Sequence, residues 1–369
     1  MSTLIVNLQR GLYCSSLVIL LLLVYEPSIH AQLKTASGKT LQTDEVDAFI
    51  REQMQKHRIP GLSLAIINRA KLVYHQTYGV QNTQTQAAVN RSTIFEAASM
   101  SKSVFAYFTM KMVDQGLLSL DTPLYRYMPH KDIEHDERYK LITARMVLAH
   151  TSGFPNWRFH NEDGKLDIKF KPGTQFYYSG EGYEYLAKVL AHLLHTDFNG
   201  LEKVIAEQVY QPLNMRNSGF IMTDQLTEHK ALGYEDGQYS DGLPADLIKP
   251  YFGASFGLHS EAVDFSKFMI ALMKRKGLTK AAYKELYREQ VVLPKEESLR
   301  TEDGFDSWGL GVIRATTPQG LKLTHGGMNP SFQCYYMILP SKKFGFVFFG
   351  NSNTAINMVK ELEQYLLGD

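Results

Sequence analysis

Apolar residues recur at helical spacing in some stretches of this chain and cluster into short branched or aromatic runs in others. Val46, Phe49, Ile50 and Met54, three to four apart, predict a helix capped at Thr43-Asp44 and stopped at Pro60-Gly61. Residues 62–67 and 72–78 predict two strands, joined as a hairpin through Asn68-Arg69-Ala70-Lys71. A helix follows over 99–115 and ends at Gly116. The middle is helical at 183–195, 201–208 and 262–274, between loops rich in Pro, Gly, Asn and Asp. Strands return at 310–313, 321–324, 332–339 and 344–349, and a helix closes the chain at 356–366. Two early strands, several late ones and helices between them predict an α/β (α+β) fold. One antiparallel sheet is drawn from both chain ends and flanked by helices, with a mostly helical region inserted. Residues 32–115 and 285–369 are assigned to a discontinuous sheet domain and 116–284 to the helical region. Together, 32–369 form one unit.

Residues 1–31 do not fit that pattern. Arg10, an apolar run at 17–24, Pro27 and then Ala31 follow the order of a secretory signal cleaved after Ala31. The run is shorter than the roughly 20 residues a bilayer span needs, so stable membrane insertion is not expected after cleavage. An uncleaved anchor is the alternative. The expected location is secreted or periplasmic. Two cysteines make neither a disulfide framework nor a four-cysteine zinc site. Cys14 leaves with the signal, and Cys334, in a strand, reads as a small buried hydrophobe. Residues 34–39 are expected to be a flexible start. Lys plus Arg is 39 and Asp plus Glu is 38, a net charge of +1 with dispersed signs, which argues against nucleic-acid binding. A monomer is expected.

Candidate chemistry begins at Phe95-Glu96-Ala97-Ala98-Ser99-Met100-Ser101-Lys102. One helical turn sets Ser99 and Lys102 on the same face. A serine hydroxyl needs a base to act as a nucleophile, and a desolvated lysine has a lowered pKa that suits it to that task. The pair alone is a common pattern. Tyr178, in a turn before a helix, and Thr324-His325-Gly326-Gly327-Met328, at a strand end, add to it. Gly253-Ala254-Ser255-Phe256-Gly257 has the form of an α/β-hydrolase nucleophile elbow, with Asp306 and His325 in the usual order after it. Its context fails: Pro250 interrupts the preceding run and no strand–helix alternation leads to it. It reads better as a turn before a helix capped by Ser260. His192 and His195 share a helix face without a third ligand, so no metal site is assigned. His150 is expected to order its loop, and Trp157 and Arg158 are candidates for the cleft wall.

Taken together, these motifs resemble the serine beta-lactamase and penicillin-binding superfamily in its class C beta-lactamase-like branch. Ser99 and Lys102 match its Ser-x-x-Lys motif, Tyr178-Ser179-Gly180 its Tyr-x-Asn motif, and His325-Gly326-Gly327 its Lys-Thr-Gly or His-x-Gly motif. Residues 147–155, 116–123 and 308–311 are also similar to that branch, and the likeness covers essentially the whole chain after the signal. The resemblance implies an acyl-enzyme on Ser99, with Lys102 and Tyr178 moving protons. It leaves open which of the two is the base. It implies an oxyanion hole from the backbone N–H groups of Ser99 and Met328, a substrate site including His325, Gly326, Gly327 and Gly180, and no cofactor. The substrate is then a small ester, peptide or beta-lactam. Gly180 departs from the family's asparagine, which binds a substrate amide, and His325 departs from its carboxylate-binding lysine. Both departures favour an esterase or a D-Ala-D-Ala carboxypeptidase- or aminopeptidase-like enzyme over a true class C beta-lactamase. Gly180 also admits a non-catalytic binding or sensor relative.

Overall fold

The predicted hairpin anchors the sheet. In a computed structural model, which describes residues 32–240 and 251–368, strands β1 (Gly61–Asn68) and β2 (Lys71–Asn82) pair antiparallel. Arg69 and Ala70, between them, both have positive φ (51° and 52°), as a two-residue turn matched to strand twist requires. The other strands of this sheet are β3 (Ala87–Ala88), β4 (Val291–Val292), β5 (Ser307–Trp308), β6 (Ile313–Thr317), β7 (Gly320–Asn329), β8 (Phe332–Leu339) and β9 (Phe344–Gly350). The nine-stranded order is β4-β5-β6-β7-β8-β9-β1-β2-β3. The late strands thus close onto the early ones through β9 and β1, with Val347 opposite Ala65.

β1, β8 and β9 are buried almost throughout and, apart from Ser63, Asn68 and Gln333, apolar, because both faces of the sheet are covered. Leu62, Leu64 and Ile66 of β1 join Met337, Phe346 and Phe348 in a core under helices α1 (Thr43–His57) and α5 (Val359–Leu367). Their alternates, Ala65, Ile67, Tyr336, Ile338, Val347 and Phe349, face a larger core. That core is shared with α2 (Ser101–Asp114), α3 (Gly180–Leu193) and α4 (Ala262–Lys274). Cys334 is fully buried on that side, its Sγ directed at the Ala97 carbonyl.

Several sequence expectations need correction. The first helix starts after Gln42, whose N–H donates to the Glu45 carboxylate at 2.9 Å; Thr43 is already helical, and Asp44 Oδ1 accepts the Glu45 N–H. Residues 34–39 are ordered: strands Gln32–Lys34 and Thr40–Gln42 pair, and the N–H groups of Ala36 and Ser37 donate to the end of α5. Residues 310–312 are a turn with Gly311 at φ 69°, and the strand begins at Ile313. The helix after the Gly253–Gly257 turn is capped by Glu261, whose carboxylate accepts from the N–H groups of Val263 and Asp264. The helix predicted over 201–208 is α-helical only to Ile205 and continues as a π-turn to Tyr210. The proposed signal segment lies outside the described residues.

Candidate functional site

Ser99 sits in the single 3-10 turn Ala98–Met100 that leads into α2. Ala98 takes a positive φ of 43°, costly for a residue with a Cβ, and this kink directs the chain into the turn. Lys102, one turn on, is fully buried. Its Nζ donates to Ser99 Oγ at 3.2 Å and to the Ser255 carbonyl at 2.8 Å. It also lies over the rings of Tyr178 (4.6 Å) and Tyr183 (5.6 Å). Burial lowers its pKa to about 7, against an opposing pull from the Glu184 carboxylate. A buried amine that loses its proton near neutral pH and is bonded to a hydroxyl has the properties of a general base.

Tyr178 packs into an aromatic box. His150 stacks on it at 4.3 Å, and Trp308 meets it edge-on at 5.8 Å. His150 Nδ1 accepts the Ser179 N–H at 3.0 Å, so the histidine fixes the turn that carries Tyr178, as expected for a loop-ordering residue. Burial raises the Tyr178 pKa well above its usual value, while a hydrogen bond to Ser99 opposes the rise. The structure therefore brings Ser99, Lys102 and Tyr178 together. His325 borders the same box, 5.5 Å from Trp308, with Nδ1 against the Gly326 carbonyl at 2.6 Å. Burial and the nearby Lys102 push its pKa down to about 3, so it is neutral at ordinary pH.

The asparagine position of the Tyr-x-Asn motif is sterically occupied. A Cβ on Gly180 would lie 2.9 Å from two carbons of the Trp157 indole and 3.0 Å from the Asn156 carbonyl oxygen. The Gly180 N–H donates to Asn156 Oδ1 at 3.0 Å. Arg158 holds this loop in place through a two-pronged contact to Glu181, 2.9 Å on each oxygen, and a third bond to Asp132. Trp157 then stacks on Phe159 and meets Phe256 edge-on. An apolar ring thus stands where a side-chain amide would otherwise project.

Strand β7 outruns its partner β6, whose pairing stops at Ile313 opposite Thr324. His325 to Asn329 therefore continue alongside the turn bearing Ser99. Gly327 permits this approach: a Cβ there would strike the Ala97 carbonyl and Cys334 Sγ. Gly327→Ala is expected to cost about 1–3 kcal/mol as a lower Tm in thermal denaturation, because one obstacle is backbone. Met328 follows, 65% exposed.

Ser255 is not exposed as an elbow nucleophile would be. It is fully buried, and its Oγ donates to Glu184 Oε1 at 2.7 Å. Glu184 was missed at the sequence level: it is one glutamate on an amphipathic helix, and its partner is 71 residues away. No group of three or more metal-ligating side chains occurs among the described residues.

The beta-lactamase family model matches residues 46–367. The chain belongs to that family. Its members are serine hydrolases of the beta-lactamase and penicillin-binding superfamily. The chain is 23% identical over 333 residues to protein flp of Staphylococcus aureus strain N315, covering 84% of this chain and 63% of that one. It therefore spans under two thirds of that relative's length. A human putative beta-lactamase-like 1 is 27% identical over 253 residues, covering 62% of this chain and 49% of its own length. Among solved structures, a class C beta-lactamase superposes with a TM-score of 0.74 at 22% identity, covering 89% of this chain and 96% of that one. A D-alanine carboxypeptidase AmpC from Burkholderia cenocepacia gives 0.72 at 20%, covering 88% and 98%. A penicillin-binding protein homologue from Pyrococcus abyssi, described as octameric, gives 0.72 at 23%, covering 89% and 79%. These likenesses establish the fold, including the large antiparallel sheet with helices on it.

Proposed function

We propose that this member of the family is an exported serine hydrolase that acylates Ser99 and prefers uncharged, amide-poor substrates such as esters. The observation that carries this reading is the contact of a buried Lys102 amine with the Ser99 hydroxyl, 3.2 Å apart. Ser99 Oγ attacks the carbonyl carbon and forms the new C–O bond. Its proton passes to the Lys102–Tyr178 pair, and the carbonyl oxygen becomes an oxyanion facing the N–H groups of Ser99 and Met328. Collapse breaks the bond to the leaving alcohol or amine, which takes the proton. Water then attacks the acyl group by the same route in reverse and frees the acid and Ser99. Two features support the substrate preference. Gly180 carries no side-chain amide of its own for a peptide or beta-lactam amide, and Trp157 and Asn156 fill the space where one would project. Neutral His325 supplies no cation for a substrate carboxylate.

The test is mass spectrometry after treatment with a fluorophosphonate, beside a substrate panel of p-nitrophenyl esters, a chromogenic cephalosporin and D-Ala-terminated peptides. The expected result is one adduct, on Ser99, and the highest kcat/KM on an ester. An adduct on another residue, or none, overturns the mechanism. A cephalosporin or peptide as the best substrate overturns the preference. Gly180→Asn combined with Trp157→Ala, which removes the ring the new Cβ would strike, should narrow the gap between ester and amide substrates.

A further inference from the structure

Glu184 is buried against the far side of the peptide that holds Lys102. Its Oε1 accepts from the Ser255 N–H (3.0 Å) and from Ser255 Oγ (2.7 Å), and Oε2 accepts from the Ala254 N–H (3.4 Å). The carbonyl of Ser255 accepts from Lys102 Nζ at 2.8 Å. Serine, carboxylate and amine thus form a chain from α3, across the Gly253–Gly257 turn, to α2 and on to Ser99 Oγ. This arrangement gives the elbow-like segment a use unrelated to nucleophilic serine chemistry. A carboxylate is expensive to bury, and three donors from two adjacent residues compensate this one. A purely structural clamp on a tight turn needs no charge, whereas a charge aligned with a buried amine acts on that amine.

We propose that Glu184 is a positioning residue for Lys102: it fixes the Ala254–Ser255 backbone whose carbonyl holds the amine beside Ser99, and its negative charge favours the protonated amine. The proposal rests on the reading of Lys102 as the proton-transfer group of Ser99. The titratable neighbours of Lys102 are Tyr178 before α3, Tyr183 and Glu184 on α3, His150 after the helix Ala144–Leu148, and His325 on β7. Glu184 itself also influences Tyr251. Of the groups around Lys102, Glu184 is the carboxylate and the one that opposes desolvation of the amine. Burial in turn raises the Glu184 pKa to about 7, so the two groups titrate together.

Glu184→Gln keeps an acceptor for Ser255 and removes the charge. Two readouts follow, both on the full chain. In the first, Lys102 is titrated by NMR through its side-chain carbons in wild type and in Glu184→Gln, a measurement independent of turnover. The midpoint is expected to fall by about one pH unit in the variant, because the charge favouring the cation is gone. In the second, the rate of Ser99 labelling by fluorophosphonate is followed against pH. Its acid limb should move the same way, and its plateau should drop about tenfold as the amine becomes a weaker and less well-held base. Glu184→Asp should restore the wild-type midpoint in part. An unchanged Lys102 midpoint in a folded Glu184→Gln protein overturns the proposal and leaves Glu184 a structural clamp. Ser255→Ala, which keeps both backbone contacts, should shift the midpoint less than Glu184→Gln; an equal shift overturns the assignment to the carboxylate. Failure of wild-type Ser99 to label would instead overturn the hydrolase reading, and the NMR titration would still report on the pair.

Discussion

Ser99→Ala is expected to lower kcat/KM on the best ester by on the order of 10⁵–10⁶, the scale seen when a serine protease loses its nucleophile. It should also abolish covalent labelling. The reason is geometric: the kink at Ala98 and the start of α2 bring one hydroxyl to the buried amine, 3.2 Å away. The other serine with a nucleophile-like sequence context, Ser255, has its hydroxyl committed to Glu184 and is fully buried. The fold should survive, because the change removes one hydroxyl from a half-buried side chain and alanine is a good helix former. Steady-state kinetics on variant and wild type, with circular dichroism to confirm folding, checks this. A loss below about tenfold would move the chemistry elsewhere.

Most of the sheet could be read from the sequence because its strands carry a strong local signal. Residues 332–339 and 344–349 are apolar apart from Gln333, as expected of strands covered on both faces. The hairpin at Asn68–Lys71 and the helix Ala262–Lys274 were visible for the same reason. The segment before the first helix was not. Residues 34–39 are polar and short, and their order comes from carbonyls at the end of α5, more than 300 residues away. The same division applies at the candidate site. Ser99 and Lys102 announce themselves because the motif is local, three residues on one helical turn. Trp157 over Gly180 and Glu184 against Ser255 are contacts across 23 and 71 residues, and no spacing rule marks them. The capping error has a smaller cause: the helix starts one residue earlier than expected, so Thr43 lies inside it, and the Gln42 N–H is held by the Glu45 carboxylate.

Lys102→Met should separate function from stability. Loss of a proton-transfer group is expected to cost about 10²–10⁴ in kcat/KM. Yet the variant should melt higher than wild type at pH 7. In the folded protein the amine titrates near 7, and in the unfolded chain near its ordinary 10.5. Between those values the unfolded state binds the extra proton, so wild-type stability rises with pH across that window. Below pH 7 the penalty of burying the charged lysine is fully present, on the order of 4–5 kcal/mol, and most of it remains at pH 7. Methionine fills a similar volume without the charge. Its counter-cost is the Ser255 carbonyl left without its donor, about 1–3 kcal/mol. The desolvation penalty is the larger of the two, so the net change is stabilising at neutral pH. The advantage should shrink as the pH approaches 10, where the wild-type amine is neutral in the folded state and close to neutral in the unfolded one. Thermal denaturation of both proteins at pH 6, 7, 8.5 and 10 measures this. A Tm difference independent of pH, or a less stable variant at pH 7, would show that the Lys102 amine is not held in the depressed state its proposed role requires.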